Sequence, residues 1–428
     1  MEPWVKRRGA QTRVMLSVLG YSAAMLLAST AAHAGDEAAG LALSVDQIRL
    51  EGGHFLEAPG VSSGVFARAE VSAVHEGDNW SLALGVMFDA HAQGGARNFE
   101  RVRAEYGENH LQWHGESTRL TLGTQRIVWG RVDEISPVDR FGRNDFSRAL
   151  VDELADRRLA TPAVRAEHFT DDMKLDLVWV PVFDPSRMPE RESIWHPVDT
   201  RQGRLLGIGQ ATPVAGASVK SRAHGSGGAG LRLTREGDVV DLGFSVQRVR
   251  QTQPYYRLEP GVLTTMHPFS WVLGGELEAA LAGATWRFEL AWSSDAPVTT
   301  HTLAYRTVPR LDAVLGAEWF PGDGETRVTL QLASQRLITA TPLLDRSERH
   351  ALTGEVEHPF GQGRWKAGLR FIVGLGEHDL YLNPRIAYVG FDQHELFLAG
   401  HVFSGSERTL GGYYRDNDML MAGWRARF

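Results

Sequence analysis

L-M-A-G-W-R-A-R-F, residues 420–428, closes the chain with apolar residues that alternate with polar or small ones. Successive side chains of a β-strand point to opposite faces, so one face would carry Leu420, Ala422, Trp424, Ala426 and Phe428. The other face would carry Gly423, Arg425 and Arg427. One face suits lipid and the other suits water, which predicts a strand in the wall of a transmembrane barrel. An amphipathic strand at the end of a soluble domain is the alternative.

The same residues resemble the C-terminal signal that the bacterial barrel-assembly machinery recognises, an aromatic last residue preceded by alternate hydrophobic positions. The resemblance implies an integral barrel of a Gram-negative outer membrane. It also implies the partners of such a barrel, namely the barrel-assembly machinery, the outer-membrane lipids and lipopolysaccharide.

The N-terminus has the composition of an export signal. The basic residues before the apolar run 14–28 are Lys6, Arg7, Arg8 and Arg13. Ala32-His33-Ala34 then fits a cleavage site with small flanking residues. We interpret residues 1–34 as a removed signal peptide and residues 35–428 as the transmembrane barrel. An uncleaved anchor is the alternative, but the apolar run is short for a membrane-spanning helix, which needs roughly 20 residues.

Composition excludes several classes of protein. No apolar stretch after Ala34 is long enough for a transmembrane helix, so the remaining chain either is soluble or crosses a membrane as strands. The sequence has no cysteine, which leaves no thiol catalysis, disulfide or thiolate metal site. Without the four basic residues and one acidic residue of segment 1–34, the chain carries 41 basic and 51 acidic side chains, a net charge of −10. This balance does not suit a general nucleic-acid binder.

Further segments alternate in the same way, as a barrel with strands of about ten residues requires. In 80–88, for example, Trp80, Leu84 and Phe88 lie on one face. Segments 286–292, 311–319 and 365–373 repeat this pattern. Other strands are predicted at 61–75, 98–107, 110–127, 162–169, 173–183, 227–236, 239–250, 269–280, 326–337, 349–359, 379–390 and 394–403.

The connections between these segments alternate between short and long. Tight links such as Gly77-Asp78, Gly107-Glu108 and Asp392-Gln393 contain turn-forming residues. With the C-terminus in the periplasm, the alternation closes only if one more strand lies within 42–51. The sequence therefore predicts an all-β, antiparallel transmembrane β-barrel of about 18 strands. Sixteen strands is the fallback, and a soluble sandwich of two sheets is the alternative fold.

The most informative long connection runs from Trp129 to Pro162 and is extracellular by the same alternation. Asn144 is a suitable N-cap, and Phe146, Ala149, Leu150 and Leu154 follow at helical spacing, so a helix is predicted here. Two oppositely charged pairs, Arg148 with Asp152 and Glu153 with Arg157, are four residues apart and would stabilise that helix. A structured loop of this length needs a functional reason, and insertion into the lumen supplies one.

The charged residues of this connection form the candidate functional site. Seven arginines occur from Arg131 to Arg165, and seven acidic residues occur from Asp133 to Asp156. We interpret them as a pore constriction whose transverse electric field sorts polar solutes. A surface cap that is ordered by its own ion pairs is the alternative. The candidate constriction residues are Arg131, Asp133, Glu134, Asp139, Arg140, Arg143, Arg148 and Asp152.

Part of this connection resembles a W-G…D…(N/S)-P-x-D pattern of uncharacterised proteobacterial outer-membrane barrels, through Trp129-Gly130, Asp133 and 136–139. The resemblance implies a barrel with an ordered inserted loop and no particular substrate. The second long connection, 184–225, has a modest basic excess that would attract anionic solutes or lipopolysaccharide phosphates. A mobile, solvated surface loop is the alternative for this segment.

Together these features predict a porin-like outer-membrane channel for passive diffusion of small polar or amphiphilic solutes. A non-conducting component of an export or envelope-assembly system is one alternative. An outer-membrane lipid hydrolase with a Ser-His-acid group on its outer surface is another. No catalytic residue and no cofactor is predicted. No metal site is predicted either, because His110 and His114 lack an evident third ligand.

Overall fold

The computed structural model describes residues 41–221 and 223–428, so the predicted signal peptide at 1–34 lies outside the described residues. Eighteen antiparallel strands form one closed barrel, in which each strand pairs with its neighbours in sequence. The strands are β1 (Ala42–Phe55), β2 (Val61–Glu76), β3 (Trp80–Gly95), β4 (Phe99–Tyr106 and Asn109–His114), β5 (Thr118–Gln125), β6 (Thr161–Phe169), β7 (Met173–Val180), β8 (Gly228–Arg235), β9 (Val240–Arg250), β10 (Phe269–Leu281), β11 (Ala284–Thr299), β12 (Tyr305–Trp319), β13 (Arg327–Leu337), β14 (Glu348–Phe360), β15 (Trp365–Leu375), β16 (Asp379–Phe391), β17 (His394–Gly405) and β18 (Met419–Arg427).

The closing strand is the one that the sequence predicted. β18 pairs with β1 in a register that places Ala426 opposite Ile48 and Leu420 opposite His54. Leu420 is 60% exposed on the outer surface, whereas Arg425 is buried on the lumen side. The predicted two-faced strand is therefore confirmed, and the pairing closes the barrel because neither β1 nor β18 is left as a free edge strand.

The alternation of side chains defines an apolar outer surface and a polar lumen. In β9, Phe244 is 62% exposed on the outside, while Gln247 is fully buried on the inside. Glu289 in β11 and Arg68 in β2 are likewise buried in the lumen. A soluble sandwich would bury the apolar face instead, so the soluble alternative is wrong.

The short and long connections lie at opposite ends of the barrel, which we call the turn end and the loop end. The turn end carries the start of β1 and the end of β18, together with tight links such as 282–283 and 392–393. The loop end carries the two longest connections, the lumen loop (residues 126–160) and the second loop (residues 181–227). This division matches the periplasmic turns and extracellular loops of outer-membrane barrels.

The strand number was predicted correctly, but one predicted link was wrong. Gly107-Glu108 was expected to be a tight turn between two strands, yet it is a bulge within β4, because both segments of β4 run antiparallel to β3. The bulge presses against Gly85, where an added Cβ would lie 3.1 Å from the backbone nitrogen of Glu108. The real turn is at 115–117, so the predicted strand 110–127 is divided between β4 and β5.

Four neighbouring strands make one side of the wall low. β5, β6, β7 and β8 contain 8, 9, 8 and 8 residues, against 16 in β11. A tilted strand of eight residues rises about 20 Å, which is less than the apolar band of about 25 Å in outer-membrane barrels. Residues beyond these strands must therefore complete the wall at the loop end.

The connections contain only short elements within the described residues. In the lumen loop, Arg143–Asn144 pairs with Arg158–Leu159, and α1 spans Leu154–Arg157. The remaining short elements are the strands Val198–Asp199, Arg204–Leu205, Gly209–Gln210, Ser218–Lys220, Tyr255–Glu259 and Val262–Met266, the 3-10 helix Thr212–Val214 and the helix α2 (Leu410–Tyr413). Across 41–221 and 223–428, no helix is both long and apolar enough to cross a membrane.

The helix predicted from Asn144 onward was wrong except for its last turn. Asn144 lies in a short strand instead of capping a helix. Ala149 has a φ of +51°, in the left-handed region that a right-handed helix excludes. The Arg148–Asp152 ion pair does form, at 3.1 Å, but both side chains also bond to strand β1. These tertiary contacts outweigh the local helical preference.

Candidate functional site

The lumen loop lies inside the barrel and contacts strands on several sides of the wall. Asp156 pairs with Arg425 of β18 at 2.9 Å, and Arg140 pairs with Asp312 of β12 at 2.9 Å. The carbonyl of Leu150 accepts a hydrogen bond from Arg370 of β15. Contacts with widely separated strands hold the loop across the lumen, so the surface-cap alternative is wrong for its position.

The first anchor of the lumen loop is a buried network of four charged side chains. Asp152 lies 2.7 Å from Arg49 and 3.1 Å from Arg148, and Glu51 lies 2.8 Å from Arg49 and 2.6 Å from Arg148. Burial alone would raise the pKa of Asp152, but the guanidiniums of Arg148 and Arg49 outweigh it and hold that pKa well below the ordinary value. The carboxylates and guanidiniums neutralise one another, which makes their burial tolerable.

The second anchor joins both long connections to β2 and β3. Asp145 of the lumen loop lies 2.8 Å from Arg68 and 3.0 Å from Arg187 of the second loop. Asp89 of β3 lies 2.7 Å from Arg68 and 2.6 Å from Arg187. The attraction of Arg187 and Arg68 lowers the pKa of Asp145 in spite of its burial. The second loop is therefore packed into the lumen at Arg187, and the mobile-surface alternative is wrong for this part of it.

The start of the lumen loop is fixed by an aromatic residue and a glycine. Trp129 is buried, and its Nε1 donates to Asp176 of β7 at 2.9 Å. Gly130 has a φ of +102°, and an added Cβ would lie 2.8 Å from a carboxylate oxygen of Glu289. The same carboxylate accepts hydrogen bonds from the Ser136 hydroxyl and from the backbone of Val132. Only glycine allows this close approach with a left-handed backbone.

The lumen loop leaves a cavity of about 240 Å³ between itself and strands β9 to β12, which we call the inner cavity. Arg140, Asn144 and Asp139 line it from the loop, and Arg310 and Asp295 line it from the wall. Arg310 also bonds to Asp312 at 2.8 Å, so Asp312 holds Arg140 and Arg310 together. Both signs of charge therefore face the inner cavity.

A second cavity of about 290 Å³, the mouth cavity, lies toward the loop end and shares Gln251 and Gln253 with the inner cavity. Its charged lining residues are Asp345, Arg346, Arg349, Asp379 and Arg408. Arg346 lies 3.3 Å from Glu377. The side chain of Arg349, by contrast, is exposed and forms no ion pair or hydrogen bond with any described residue. The mouth cavity therefore offers a cation that a solute can reach.

The eight candidate constriction residues all lie on the lumen loop but do not form one ring. Arg148 and Asp152 belong to the first anchor, and Arg140 lines the inner cavity beside Asp139, which pairs with Arg158 at 2.7 Å. Arg131, Asp133 and Glu134 contact residues of β9, β10, β11 and β15. Arg143 points toward the wall beside β4, where it contacts Asp184.

Sequence reasoning missed several lumen residues that share these environments. Arg49, Arg68, Arg310 and Arg349 lie on strands, and their charge was not used to identify the site. These residues could have been predicted from their position on the polar face of a predicted strand. That face lines the lumen, so an arginine on it is expected to contribute charge to the lumen.

One serine–histidine pair among the described residues has part of the arrangement that a catalytic triad requires. Ser404 contacts His378 at 3.2 Å, but no described carboxylate bonds to that histidine. Within the described ranges, no cluster of three or more His, Asp or Glu is placed to hold a metal ion. The arrangement instead consists mostly of paired charges around the inner cavity and the mouth cavity, with Arg349 outside any ion pair among the described residues.

The closed barrel, its apolar outer surface and its charged, loop-filled lumen define an outer-membrane β-barrel protein. Residues 73–360 match the family described as "Protein of unknown function (DUF1302)". This match covers more than half of the chain, which therefore belongs to that family. No curated protein sequence matches the chain.

Solved structures share the barrel fold at very low sequence identity. OccAB1 of Acinetobacter baumannii is 9% identical with a TM-score of 0.55, over 91% of this chain and 96% of its own. The outer membrane channel DcaP of Acinetobacter baumannii is 8% identical with a TM-score of 0.43, over 92% and 99%. OmpF of Salmonella typhi, solved with daunomycin, is 10% identical with a TM-score of 0.44, over 91% and 98%. The similarity to OccAB1 bears on the fold alone.

Proposed function

We propose that the protein is a passive outer-membrane channel for small polar solutes. The observation that carries this proposal is the pair of adjoining cavities along β9 to β14, which the lumen loop leaves unfilled while it packs against β1, β2 and β18. Solutes would enter the mouth cavity, pass Gln251 and Gln253, and continue through the inner cavity. Cavities of this size select small solutes by width and lining charge.

The mouth cavity would set the charge preference. Arg349 is exposed and forms no ion pair with a described residue, so its charge acts on a passing ion more strongly than that of a paired arginine, although Asp345 and Asp379 line the same cavity. Arg140 in the inner cavity is largely neutralised by Asp312 at 2.9 Å. One unit charge about 6 Å from an ion in water is worth ~0.7 kcal/mol, or about threefold in ion occupancy. We therefore expect a modest preference for anions to which Arg349 contributes, together with Arg408 in the mouth cavity and Arg250 in the inner cavity, which bond only to backbone carbonyls.

The reversal potential in a salt gradient tests this proposal. Arg349→Gln should lower the anion-to-cation permeability ratio by about tenfold, because the removed charge raises anion occupancy and lowers cation occupancy by about threefold each. The matched control is Arg336→Gln, whose side chain is 69% exposed and pairs with Glu348 at the barrel rim. Equal ratios in the wild type and both variants would refute the assigned passage.

A non-conducting export or assembly component is the second candidate. The observation that favours it is the dense packing between the lumen loop and the wall, where the side chains of Arg49 in β1 and Arg68 in β2 are 2% and 1% exposed. A folded protein that gives no current in bilayers would support this candidate over the channel.

A further inference from the structure

The barrel wall has a gap beside β4. Segment Phe99–Tyr106 pairs with β3 on one side, whereas β5 pairs only with the other segment, Asn109–His114. On its second edge, the backbone of Phe99–Tyr106 has no hydrogen-bond partner among the described residues. The bilayer core offers no partners for backbone N–H and C=O groups, so an open strand edge is not tolerated against lipid. The fold must therefore cover this edge with other residues.

The gap extends deep into the wall. Tyr106 pairs with Val86, near the middle of β3, so the unpaired edge reaches from the loop end to about half height. On the other side of the gap stand the four low strands β5 to β8. Loop residues therefore complete the wall at a depth where lipid is expected outside.

Arg143 is the central residue of this cover. Its guanidinium donates hydrogen bonds to the Tyr106 hydroxyl at 2.7 Å, to the carbonyl of Ala160 at 2.7 Å and to the carbonyl of Pro185 at 3.2 Å. It also lies 2.7 Å from Asp184, which accepts a hydrogen bond from Tyr106. Arg143 thus joins β4, the lumen loop and the second loop through hydrogen bonds, an ion pair and a cation–π contact with the Tyr106 ring. We call this junction, formed by Phe99–Tyr106, Arg143 and 184–190, the wall seam.

The two sides of the wall seam differ in chemistry. On the lumen side, Arg103 pairs with Glu190, and Arg187 lies 2.5 Å from Glu105. On the outer side, Val102 is 55% exposed, and Val128 and Val182 at the tops of the low strands are 43% and 59% exposed. A molecule that lay across the seam would meet guanidiniums at one end and aliphatic side chains at the other.

We propose that the wall seam is a lateral exit through which a single-chain anionic amphiphile, such as a long-chain carboxylate, passes between the lumen and the outer leaflet. This inference rests on the proposed channel function. The carboxylate exchanges places with Asp184 and Glu190 as the partner of the seam arginines, and the apolar chain leaves beside Val102 and Val182. Elsewhere in the wall, opening would break the backbone hydrogen bonds between two strands. The wall seam is closed by side-chain hydrogen bonds and ion pairs, so it can open while every strand ladder stays intact.

Cross-linking tests the seam cleanly because the chain has no native cysteine. In a variant with both Tyr106→Cys and Asp184→Cys, a short bis-methanethiosulfonate linker joins the two introduced thiols. Reduction removes this linker. The matched control combines Leu332→Cys with Leu352→Cys, which face each other across the paired strands β13 and β14. Outer-membrane vesicles that contain each protein receive pyrene-labelled dodecanoate, and its transfer rate is measured beside single-channel current in planar bilayers.

We expect the linker at the seam to lower dodecanoate transfer by about tenfold, reduction to restore it, and the control linker to change nothing. The current should stay the same in all forms, because the cavities along β9 to β14 are not cross-linked. Transfer that the seam linker leaves unchanged would overturn the inference while a normal current left the channel intact. Linker-sensitive transfer without any current would support the seam and refute the passive channel.

Two further measurements keep the test decisive. Arg143→Gln, which removes the guanidinium that joins the seam, should speed dodecanoate transfer, whereas Arg336→Gln, in an exposed ion pair at the barrel rim, should not. Should the cysteine pair fail to fold, equal transfer by these two variants would itself overturn the inference. Linker-sensitive transfer of labelled phosphatidylglycerol in place of dodecanoate would overturn the assignment of a single-chain ligand.

Discussion

Substituting Asp152 by asparagine removes the charge at the centre of the first anchor while nearly keeping its shape. The carboxylate lies 2.7 Å from Arg49 and 3.1 Å from Arg148, and the side chains of all three are at most 6% exposed. Removing one partner of a buried ion pair costs about 3–5 kcal/mol. Because Glu51 still contacts both arginines, we expect the lower end, ~3 kcal/mol. This free energy corresponds to a change of about 100-fold in the equilibrium constant between the anchored and the released lumen loop, in favour of the released loop.

The assay compares gating noise in single-channel records with cleavage of the lumen loop by added protease. Asp152→Asn should increase both, because a released loop moves in the lumen and exposes its backbone. Asp133→Asn is the matched control, since Asp133 lies on the same loop but is 50% exposed and pairs with Arg287 at 3.3 Å. An exposed pair of this kind contributes about 0–1 kcal/mol. Indistinguishable gating and cleavage in the two variants would refute the claim that buried charge anchors the loop.

Three other predictions concern pH, the loop start and the outer surface. The folded-state pKa of Asp145 is lowered, so the stability that its ion pairs give to the anchored loop is fully present above the unfolded pKa of about 3.9 and is lost as pH falls through the folded pKa. Protease cleavage of the loop should therefore stay constant from pH 7 to about 4.5 and rise only below about 4. Gly130→Ala should destabilise the loop start by about 2 kcal/mol or more, because a Cβ collides with Glu289 at a φ of +102°; an unchanged urea midpoint would contradict this. Leu398→Arg, at a site 61% exposed to the membrane, should cost about 2–4 kcal/mol in lipid vesicles, and an equal loss for Gln335→Arg on the lumen face would contradict the assigned faces.

Much of the fold follows from the sequence because the outer surface and the lumen impose a strict period of two. Trp80, Leu84 and Phe88 lie on one face of β3 as their alternation predicts. The link at Gly107-Glu108 was misplaced because a bulge and a tight turn use the same residue types. The position of a bulge depends on the neighbouring strand, here on Gly85, which local sequence does not reveal.

The candidate site was predicted in part. The charge density of the lumen loop identified the right segment, because a long, charged connection needs partners or a solvated surface. The partners themselves, such as Arg49 for Asp152 and Arg68 for Asp145, are distant in sequence and depend on where the loop enters the barrel. The helix predicted from Asn144 was wrong for the same reason. Contacts with β1 and the left-handed backbone of Ala149 replace the local hydrogen bonds of a helix.

Single-channel recording of the refolded wild-type protein in a planar bilayer tests the channel proposal most directly. We predict discrete current steps that grow with salt concentration, together with a reversal potential that indicates anion preference. A correctly folded barrel that gives no steps would contradict a passive pore and would leave a non-conducting envelope component as the better account.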